Sequence, residues 1–296
     1  MTKPRLAVTL GDPRGIGPEI VLAATAEARV RAACDLVIVG PSGTRTGAQE
    51  VVGEWRVGSD EALAGSLAAR AIERAAALAT AGTVAGIVTA PIDKHALLAG
   101  GVSDHGHTEM LARLTGARVA MMLASDKLRV VLATTHIALR DVPAAVTATV
   151  IADTARITRD GLRRWYGIAG PRIALCALNP HGGEQGRFGT EERDVLAPAA
   201  AAAGIAGPFP ADTVFVRAMR GEFDAVIAPY HDVGMTAIKV ASFGSAVNVT
   251  LGLPWPRTSP DHGTAIDIAG TGRADPASMI LAVLVCARIA ALQRTA

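Results

Sequence analysis

Three of the seven histidines lie within three residues of the end of a predicted strand. They are His136, His181 and His231. Imidazole nitrogens are preferred ligands of divalent transition-metal ions, so three of them on adjacent loops would bind one ion and leave coordination positions open for a substrate. For any single one of these histidines, a hydrogen bond within its own loop is the simpler explanation. The equivalent positions of all three favour a metal site.

Two aspartates could take part in the same chemistry. Asp232 directly follows His231, and Asp212 lies further upstream, next to Thr213. Either carboxylate could orient a ligand or accept a proton. Helix capping or turn formation is the alternative, and for Asp212 it explains the sequence equally well.

The segment 106–109 is predicted to begin a helix. The free N–H groups of a helix N-terminus attract anions, and His107 and Thr108 could add side-chain donors there. Simple capping of the helix by Thr108 explains the same residues equally well.

Lys239, Asn248 and Arg257 are spaced nine residues apart around a predicted strand. The two cations could bind a phosphate or a carboxylate, and an arginine can do so with two hydrogen bonds. Solvated charges at a helix end and in a loop are the alternative. That alternative is weaker for Arg257, because prolines on both sides of it make its segment rigid.

Two glycine-rich segments could contact a nucleotide. The first, at 11–19, follows a strand and precedes a helix, but it lacks the third glycine of the GxGxxG motif and so does not indicate a Rossmann site. The second, at 261–272, could wrap a nucleotide, with Asp267 accepting a hydrogen bond from a ribose hydroxyl. A plain connecting loop is the alternative for this second segment.

Short β-rich runs alternate with helical stretches, which predicts an α/β fold with layers around a mostly parallel sheet. Two lobes are favoured, one at 1–120 plus 256–296 and the other at 121–255. The polar segment 41–58 is predicted to be the least regular. Strands are predicted at 6–10, 35–39, 86–90, 129–134, 172–178, 224–228 and 245–250, and helices at 18–28, 60–81, 107–116, 148–165, 191–203 and 276–292.

These elements must position the chemical groups, because polar residues gather just after the predicted strands. In open α/β sheets the carboxyl ends of the strands form the ligand crevice. A site at that edge would collect Asp12, Asp93, Lys94, His136, His181 and His231.

Composition argues against several classes of function. Of the 296 residues, 50% are apolar and 3% aromatic, and the formal net charge is +2. So small a charge and so few aromatic residues argue against a nucleic-acid partner. No segment offers about 20 strongly apolar residues for a membrane span, and no export signal is expected. Three widely spaced cysteines indicate reduced core thiols and hence a cytoplasmic protein.

Seven motifs are distributed along nearly the whole chain. In chain order they are Gly11-Asp-Pro-x-Gly-Ile-Gly-Pro-Glu19, Thr89-Ala-Pro-Ile-x-Lys94, Gly106-His-Thr-Glu109, Thr134-Thr-His-x-x-Leu-Arg-Asp-Val-Pro143, Leu178-Asn-Pro-His181 with Gly189-Thr-Glu-Glu192, Tyr230-His-Asp-x-Gly-Met235, and Asp261-His-Gly-Thr-Ala265. Together they resemble the 4-hydroxythreonine-4-phosphate dehydrogenase family. The first and last of them also resemble the wider group of isocitrate and isopropylmalate dehydrogenases.

The resemblance implies two α/β/α lobes with a cleft between them, and a homodimer whose active site lies at the subunit interface. It assigns the metal to His136, His181 and His231. It assigns substrate binding to His107, Thr108, Lys239, Asn248 and Arg257. Asp212, Asp232 and Lys239 are alternative candidates for the catalytic base. The nucleotide loop falls on 262–270, with cofactor contacts expected at His262, Gly263, Asp267 and Ile268.

The implied reaction is a metal- and NAD-dependent oxidation of 4-phosphohydroxy-L-threonine to a β-keto acid. That acid decarboxylates to 3-amino-2-oxopropyl phosphate, in pyridoxal phosphate biosynthesis. The same chemistry on threonate or erythronate 4-phosphate is the alternative. One divalent ion per subunit is expected, either Zn²⁺, Co²⁺, Mn²⁺ or Mg²⁺. The Asp267-Ile268 pair favours NAD over NADP, because a carboxylate repels a 2′-phosphate.

Some residues depart from the family pattern. Arg14 stands where the family usually has alanine, and it could change which phosphorylated acid is accepted. Gly182 and Gln185 alter the segment after His181, and none of these changes removes a proposed ligand. Two rival interpretations stay open at this point. One is a phosphate-handling acyltransferase that needs neither metal nor nicotinamide, and the other is a non-catalytic, metal-stabilised dimer.

Overall fold

The computed structural model describes residues 3–104, 106–242 and 244–293. The chain divides into two compact units, Met1–Arg118 with Val247–Ala296, and Val119–Ala246. The sequence predicts that the chain returns to the first lobe at 256, whereas the first unit resumes at 247. The reason is that the strand Val247–Leu251 pairs antiparallel with the strand Arg257–Ser259 and so belongs to the first unit.

The described part of the first unit contains a six-stranded, mostly parallel sheet. Its strands are β1 (Arg5–Thr9), β2 (Asp35–Ser42), β3 (Glu50–Glu54), β4 (Gly86–Thr89), β10 (Val247–Leu251) and β11 (Arg257–Ser259). Its helices are α1 (Gly17–Ala26), α2 (Ala28–Ala33), α3 (Glu61–Thr80), α4 (Lys94–Ala99), α5 (His107–Thr115) and α11 (Ala277–Gln293). The strand order is β3-β2-β1-β4-β11-β10, and the β10–β11 pair alone is antiparallel among these strands.

Helix α3 shows how the sequence builds the helical layer of this unit. The Asp60 carboxylate caps the helix by accepting a hydrogen bond from Leu63 N at 2.8 Å. The helix is rich in alanine, the best helix former, and its buried residues recur three and four positions apart. Leu67 and Ile72 on this buried face are each 1% exposed. This face packs against β1 and β2.

The described part of the second unit has a five-stranded sheet in the order β5-β6-β9-β7-β8. The strands are β5 (Ala120–Ala124), β6 (Arg129–Leu132), β7 (Ile173–Cys176), β8 (Ala206–Phe209) and β9 (Ala225–Ala228). Only the β5–β6 pair of these strands is antiparallel. The helices are α6 (Val142–Ala145), α7 (Ala148–Tyr166), α8 (Ala197–Ala203, preceded by a wider turn at Glu192–Leu196), α9 (Ala211–Met219) and α10 (His231–Ala241).

All seven predicted strands and all six predicted helices are confirmed, with ends shifted by a few residues. The short strands β3, β5, β8 and β11 are not predicted from the sequence. The segment 41–58, which is predicted to be the least regular, contains the short strand β3 at the edge of the first sheet. An edge strand of five residues buries little apolar surface, so its pattern is weak.

The position of His231 also differs from the expectation of a loop. His231 is the first residue of α10, with Tyr230 as its N-cap. Two residues separate the end of β9 from the start of the helix, which packs closely on the strands at Gly234. A Cβ atom at Gly234 would lie 2.7 Å from Leu132 Cδ2 and 2.9 Å from Ala228 Cβ, so only glycine allows this approach.

The structure agrees with the expectation that the three cysteines are core thiols. Cys34, Cys176 and Cys286 are all buried and free, as expected for core thiols. Burial raises the pKa of Cys34 to about 11 and that of Cys176 to about 12, which keeps these thiols protonated. Across residues 3–104, 106–242 and 244–293, no helix is long and apolar enough to cross a membrane.

A substitution at Gly65 tests the close contact between α3 and α4. A Cβ atom there would lie 1.8 Å from Ala96 O and 2.2 Å from Ala96 C, so the helices would have to separate. Glycine to alanine normally stabilises a helix interior by about 1 kcal/mol. We expect Gly65→Ala instead to lower the free energy of urea unfolding by about 1–3 kcal/mol, the usual cost of overpacking. Ser66→Ala in the same helix is the control. A gain in stability for Gly65→Ala would contradict the close contact.

Candidate active site

The first unit contains a buried guanidinium, that of Arg257, which is hydrogen-bonded to neighbouring polar side chains. Arg257 is 2% exposed and begins β11. Its Nε and Nη2 donate to Thr89 Oγ1 at 3.2 and 2.6 Å, and its Nη1 donates to Thr250 Oγ1 at 2.9 Å. A guanidinium has five N–H donors. Two of them therefore remain for a ligand.

Arg257 forms no ion pair with a carboxylate of the described residues. Burial lowers the pKa of Arg257 to about 10, and the negative charge of Glu109 opposes that shift. A buried cation without a counter-ion is costly. Such a group binds an anion well when the anion can reach it, because both the charge and the free N–H donors are then satisfied.

His107, the first residue of α5, is influenced by this charge. The residue is half-buried, and its Nε2 atom is buried with no hydrogen-bond partner. Burial, and then the positive charge of Arg257, hold the pKa of His107 well below its usual range. The imidazole is therefore neutral near pH 7, and its buried Nε2 can serve a ligand.

The start of α5 has no side-chain cap. Its N-cap is Gly106, and Thr108 lies within the first turn of the helix. Capping by Thr108, one of the two explanations of this segment, is therefore wrong. Among the residues that the structure describes, no side chain caps the first N–H groups of the helix, as an anion site requires.

Asn248 lies on the same face of β10 as Thr250, because alternate residues of a strand share a face. Thr250 accepts a hydrogen bond from Arg257, whereas Asn248 Oδ1 is buried with no partner. Residue types and spacing point to Asn248 and Arg257 but do not predict the roles of Thr89 and Thr250. The period-two alternation along β10 was the available signal for Thr250.

The predicted nucleotide loop lies against the glycine-rich segment after β1. Ile16 N donates to Thr264 O at 2.9 Å, and a Cβ atom at Gly15 would lie 2.7 Å from the same oxygen. The loop is also held where Gly270 N donates to Glu19 Oε1 at 3.2 Å. Within the loop, His262, Gly263 and Asp267 are exposed and Ile268 is half-buried. The exposed positions are accessible to a nucleotide.

Arg14 is surrounded by carboxylates. Its guanidinium lies 2.8 Å from Asp12 Oδ2, 3.3 Å from Glu61 Oε1 and 3.7 Å from Asp93 Oδ1. Hydrogen bonding to Asp12 raises the pKa of Arg14, which therefore stays charged. Because three carboxylates already compensate this charge, the geometry does not support the expectation that Arg14 selects a phosphorylated substrate. It ties together the loops after β1 and β4.

In the second unit, two of the predicted metal ligands lie side by side. His136 follows β6 and His231 follows β9, and these two strands are parallel neighbours. The imidazole centroids are 5.5 Å apart. Thr134 Oγ1 donates to Pro229 O at 2.7 Å and links the two loops. The prediction that these strand ends bring histidines together is confirmed for this pair.

Asp232 contacts His231 directly. Its Oδ1 lies 2.6 Å from His231 Nδ1, which leaves Nε2 as the ring nitrogen available to a ligand. Asp232 lines a small cavity of about 130 Å³ together with His136 and His231. It also lines a larger groove of about 590 Å³, and Asp212 in the first turn of α9 is another of the residues that line this groove. Asp212 is exposed there and is not a helix N-cap.

Lys239 and His181 are the other predicted site residues of the second unit. Lys239 lies in the last turn of α10, in the second unit, whereas Asn248 and Arg257 belong to the first. His181 is exposed in the turn after β7. No group of three or more His, Cys, Asp or Glu side chains in the described parts of one chain is arranged to hold a metal ion. One chain therefore provides the imidazole pair but does not assemble the predicted three-histidine set.

Comparisons with known proteins agree with each other. A family model described as "Pyridoxal phosphate biosynthetic protein PdxA" matches residues 18–286. The chain is 45% identical to a 4-hydroxythreonine-4-phosphate dehydrogenase of Geobacter metallireducens, over 98% of this chain and 96% of that protein. It is 42% identical to a candidate D-threonate 4-phosphate dehydrogenase of Bradyrhizobium diazoefficiens, over 98% of each chain.

A solved structure shows the same fold. The crystal structure of a 4-hydroxythreonine-4-phosphate dehydrogenase from Klebsiella pneumoniae superposes with a TM-score of 0.87 at 40% identity. The match covers 97% of this chain and 99% of that one. The predicted mixed α/β fold is therefore confirmed over nearly the whole chain.

The lowered pKa of His107 predicts a loss of stability in acid. Below about pH 6.5 the unfolded chain protonates this histidine and the folded chain does not, so stability falls as the pH falls. The slope from one such group is up to about 1.4 kcal/mol per pH unit. We expect His107→Gln to remove this contribution when urea unfolding is compared at pH 7.5 and 5.5. The exposed His95→Gln is the control. If wild type and His107→Gln lost equal stability in acid, the imidazole of His107 would not be held neutral in the folded protein.

Proposed function

The chain belongs to the PdxA family, and we propose that it oxidises 4-phosphohydroxy-L-threonine with NAD. The product is a β-keto acid that decarboxylates to 3-amino-2-oxopropyl phosphate, a step of pyridoxal phosphate biosynthesis. The chain is a dehydrogenase of this family, so the rival interpretations of an acyltransferase and of a non-catalytic dimer are not retained.

The buried, unpaired guanidinium of Arg257 is the observation that carries the proposal. A phosphorylated hydroxy acid has two anionic ends, a phosphate and a carboxylate. Either would compensate the charge of Arg257 and use its two remaining N–H donors. Buried atoms without partners on His107 and Asn248 are further groups that a polar substrate would satisfy. Thr108 in the first turn of α5, with the N–H groups there, is assigned to the same substrate.

D-threonate 4-phosphate is a second candidate substrate, favoured by the 42% identity to the Bradyrhizobium protein. The two molecules share the phosphate, the carboxylate and the hydroxyl to be oxidised. They differ at C2, which carries an ammonium group in one and a hydroxyl in the other. Arg257 would recognise an anion that both molecules share. Selection between them must therefore depend on groups that contact C2.

Proton removal from the substrate hydroxyl is assigned to the second unit. Asp232 is engaged by the Nδ1 atom of His231, so we assign it to orienting that imidazole. Asp212 is exposed in the groove that Asp232 also lines, and it is our first choice for the base. Lys239 is the alternative base, and its charge could also bind the substrate.

His136 and His231 are suited to a divalent ion, because imidazole prefers Zn²⁺, Co²⁺ or Mn²⁺ and Asp232 leaves His231 Nε2 available. Mg²⁺ is the hard-ion alternative. A bound ion supplies Lewis-acid chemistry, which lowers the pKa of a coordinated hydroxyl. Since one chain does not assemble three ligands, we propose that His181 completes the site in a homodimer, with the active site at the subunit interface.

The loop 262–270 is assigned to the nicotinamide cofactor. Its contacts to Ile16 and Glu19 hold it against the start of α1, and His262, Gly263 and Asp267 are exposed for binding. Asp267 can accept a hydrogen bond from a ribose 2′-hydroxyl and would repel a 2′-phosphate. Ile268 follows it in the same turn. NAD is therefore preferred to NADP in this proposal.

A substrate screen with an Arg257 variant tests the substrate site. Reduction of NAD⁺ and NADP⁺ is followed at the absorbance of reduced nicotinamide, with 4-phosphohydroxy-L-threonine, D-threonate 4-phosphate and D-erythronate 4-phosphate. We expect Arg257→Met to lower kcat/KM at least about 100-fold, because two charge-assisted hydrogen bonds are lost. The exposed Arg56→Met is the control. Turnover of none of the three substrates by the wild type, or full activity of Arg257→Met, would contradict the proposal.

Removal of one imidazole tests the metal site. We expect His181→Ala to lose bound metal and turnover while the protein stays folded, since the remaining pair binds an ion weakly. Metal content of the purified dimer is measured by plasma mass spectrometry, folding by circular dichroism and oligomeric state by sedimentation. His95→Ala replaces an exposed histidine and should change none of these. Full metal content in His181→Ala would show that this residue is not a ligand.

A further inference from the structure

The turn that carries His181 has an unusual backbone. Residues 181–185 all have positive φ and lie in or near the left-handed helical region. Two of them are glycines, but His181 (φ 52°), Glu184 (φ 43°) and Gln185 (φ 58°) carry side chains. The left-handed conformation costs a non-glycine residue roughly 1–2 kcal/mol, and runs of it are rare. Surrounding contacts must therefore hold this turn in place.

The carboxylate of Glu192 makes the contacts just before this turn. Its Oε1 accepts hydrogen bonds from Leu178 N at 2.9 Å and Asn179 N at 2.7 Å. Its Oε2 accepts from Asn179 Nδ2 at 2.9 Å. These donors follow the end of β7, where the chain leaves the sheet. Glu192 is 6% exposed and forms no ion pair within the described part of the chain, so these N–H groups stabilise its charge.

The turn also lies directly on this carboxylate. Gly183 is buried, and a Cβ atom at this position would lie 2.8 Å from Glu192 Oε2 and 3.0 Å from Gly189 O. Phe188 N donates to Gly183 O at 3.1 Å and closes the turn. Glu192 therefore holds the chain just before the turn by hydrogen bonds to Asn179, and it supports the middle of the turn by contact with Gly183.

We propose that Glu192 is a positioning residue that holds His181 in its binding geometry. The proposal rests on the proposed function in one respect, that His181 binds a divalent ion. Glu192 does not touch the imidazole, and it acts through the backbone of the left-handed turn. A loosened turn would let His181 sample other positions, and the site would lose affinity because ordering the ligand would then cost free energy on binding.

The neighbouring Glu191 offers a matched comparison. Its Oε2 accepts one hydrogen bond from Asn179 Nδ2, at 2.7 Å, and none from the backbone of the turn. It is half-buried, whereas Glu192 is buried. The same substitution removes one negative charge at each position, but only the Glu192 carboxylate accepts hydrogen bonds from the N–H groups of Leu178 and Asn179, so only there does the loss of charge weaken those two bonds.

Titration of the purified, metal-free full-length protein with Co²⁺, read from its visible absorption band, tests this role. We expect Glu192→Gln to weaken Co²⁺ binding roughly 10-fold, the lower end of the range for residues that orient metal ligands. Glu191→Gln should change it less than about twofold. We also expect kcat to fall for Glu192→Gln, with a smaller change in KM for the substrate.

A double-mutant cycle separates positioning of His181 from general stability. If Glu192 acts through His181, Glu192→Gln should have no further effect on Co²⁺ binding in a His181→Ala background. Gly183→Ala should displace the turn from the Glu192 carboxylate and so cause the same loss of Co²⁺ affinity. It replaces Glu192→Gln as the test variant if Glu192→Gln does not fold. Unchanged Co²⁺ affinity in both Glu192→Gln and Gly183→Ala, or equal losses with and without His181, would overturn the proposal. Unchanged affinity in His181→Ala alone would instead overturn the metal assignment in the proposed function.

Discussion

The guanidinium of Arg257 lies in the interior of the first unit without a carboxylate partner among the described residues. Two threonine hydroxyls hold it in place, Thr89 from β4 and Thr250 from β10, and they leave its charge uncompensated. The same charge, after burial, keeps His107 neutral. A folded protein tolerates a buried cation without an ion-pair partner where a bound anion neutralises its charge. The phosphorylated substrate proposed for this family member supplies that anion.

The second unit holds imidazoles at the ends of short parallel strands. Its neighbouring strands β6 and β9 bring His136 and His231 together, and Asp232 orients one of the rings. The turn after β7 departs from ordinary backbone geometry and depends on a buried carboxylate, Glu192, for its support. In both units, neighbouring groups set the geometry of the residues that we propose take part in the reaction.

Much of the fold follows from local patterns in the chain. The long helices α3 and α7 show their apolar periodicity and their caps, Asp60 and Thr147, directly in the sequence. The buried strands appear as short apolar runs. The edge strand β3 and the helix α10 are missed, because a short edge strand has a weak pattern and α10 depends on a close approach at Gly234 that only the packed sheet reveals.

The sequence alone determined the α/β class, the family and the residue types at the strand ends, because motifs and periodicity are local properties of the chain. It selected Arg257, His107 and Asn248, and it placed His136 and His231 just after predicted strands, whereas the pairing of those two strands is a tertiary contact. Only the tertiary structure decided that Arg14 is surrounded by three carboxylates, that Arg257 forms no ion pair with a carboxylate of the described residues, and that Glu192 accepts hydrogen bonds just before the His181 turn. Burial and charge compensation depend on contacts between residues far apart in the chain, and those contacts exist only in the folded protein.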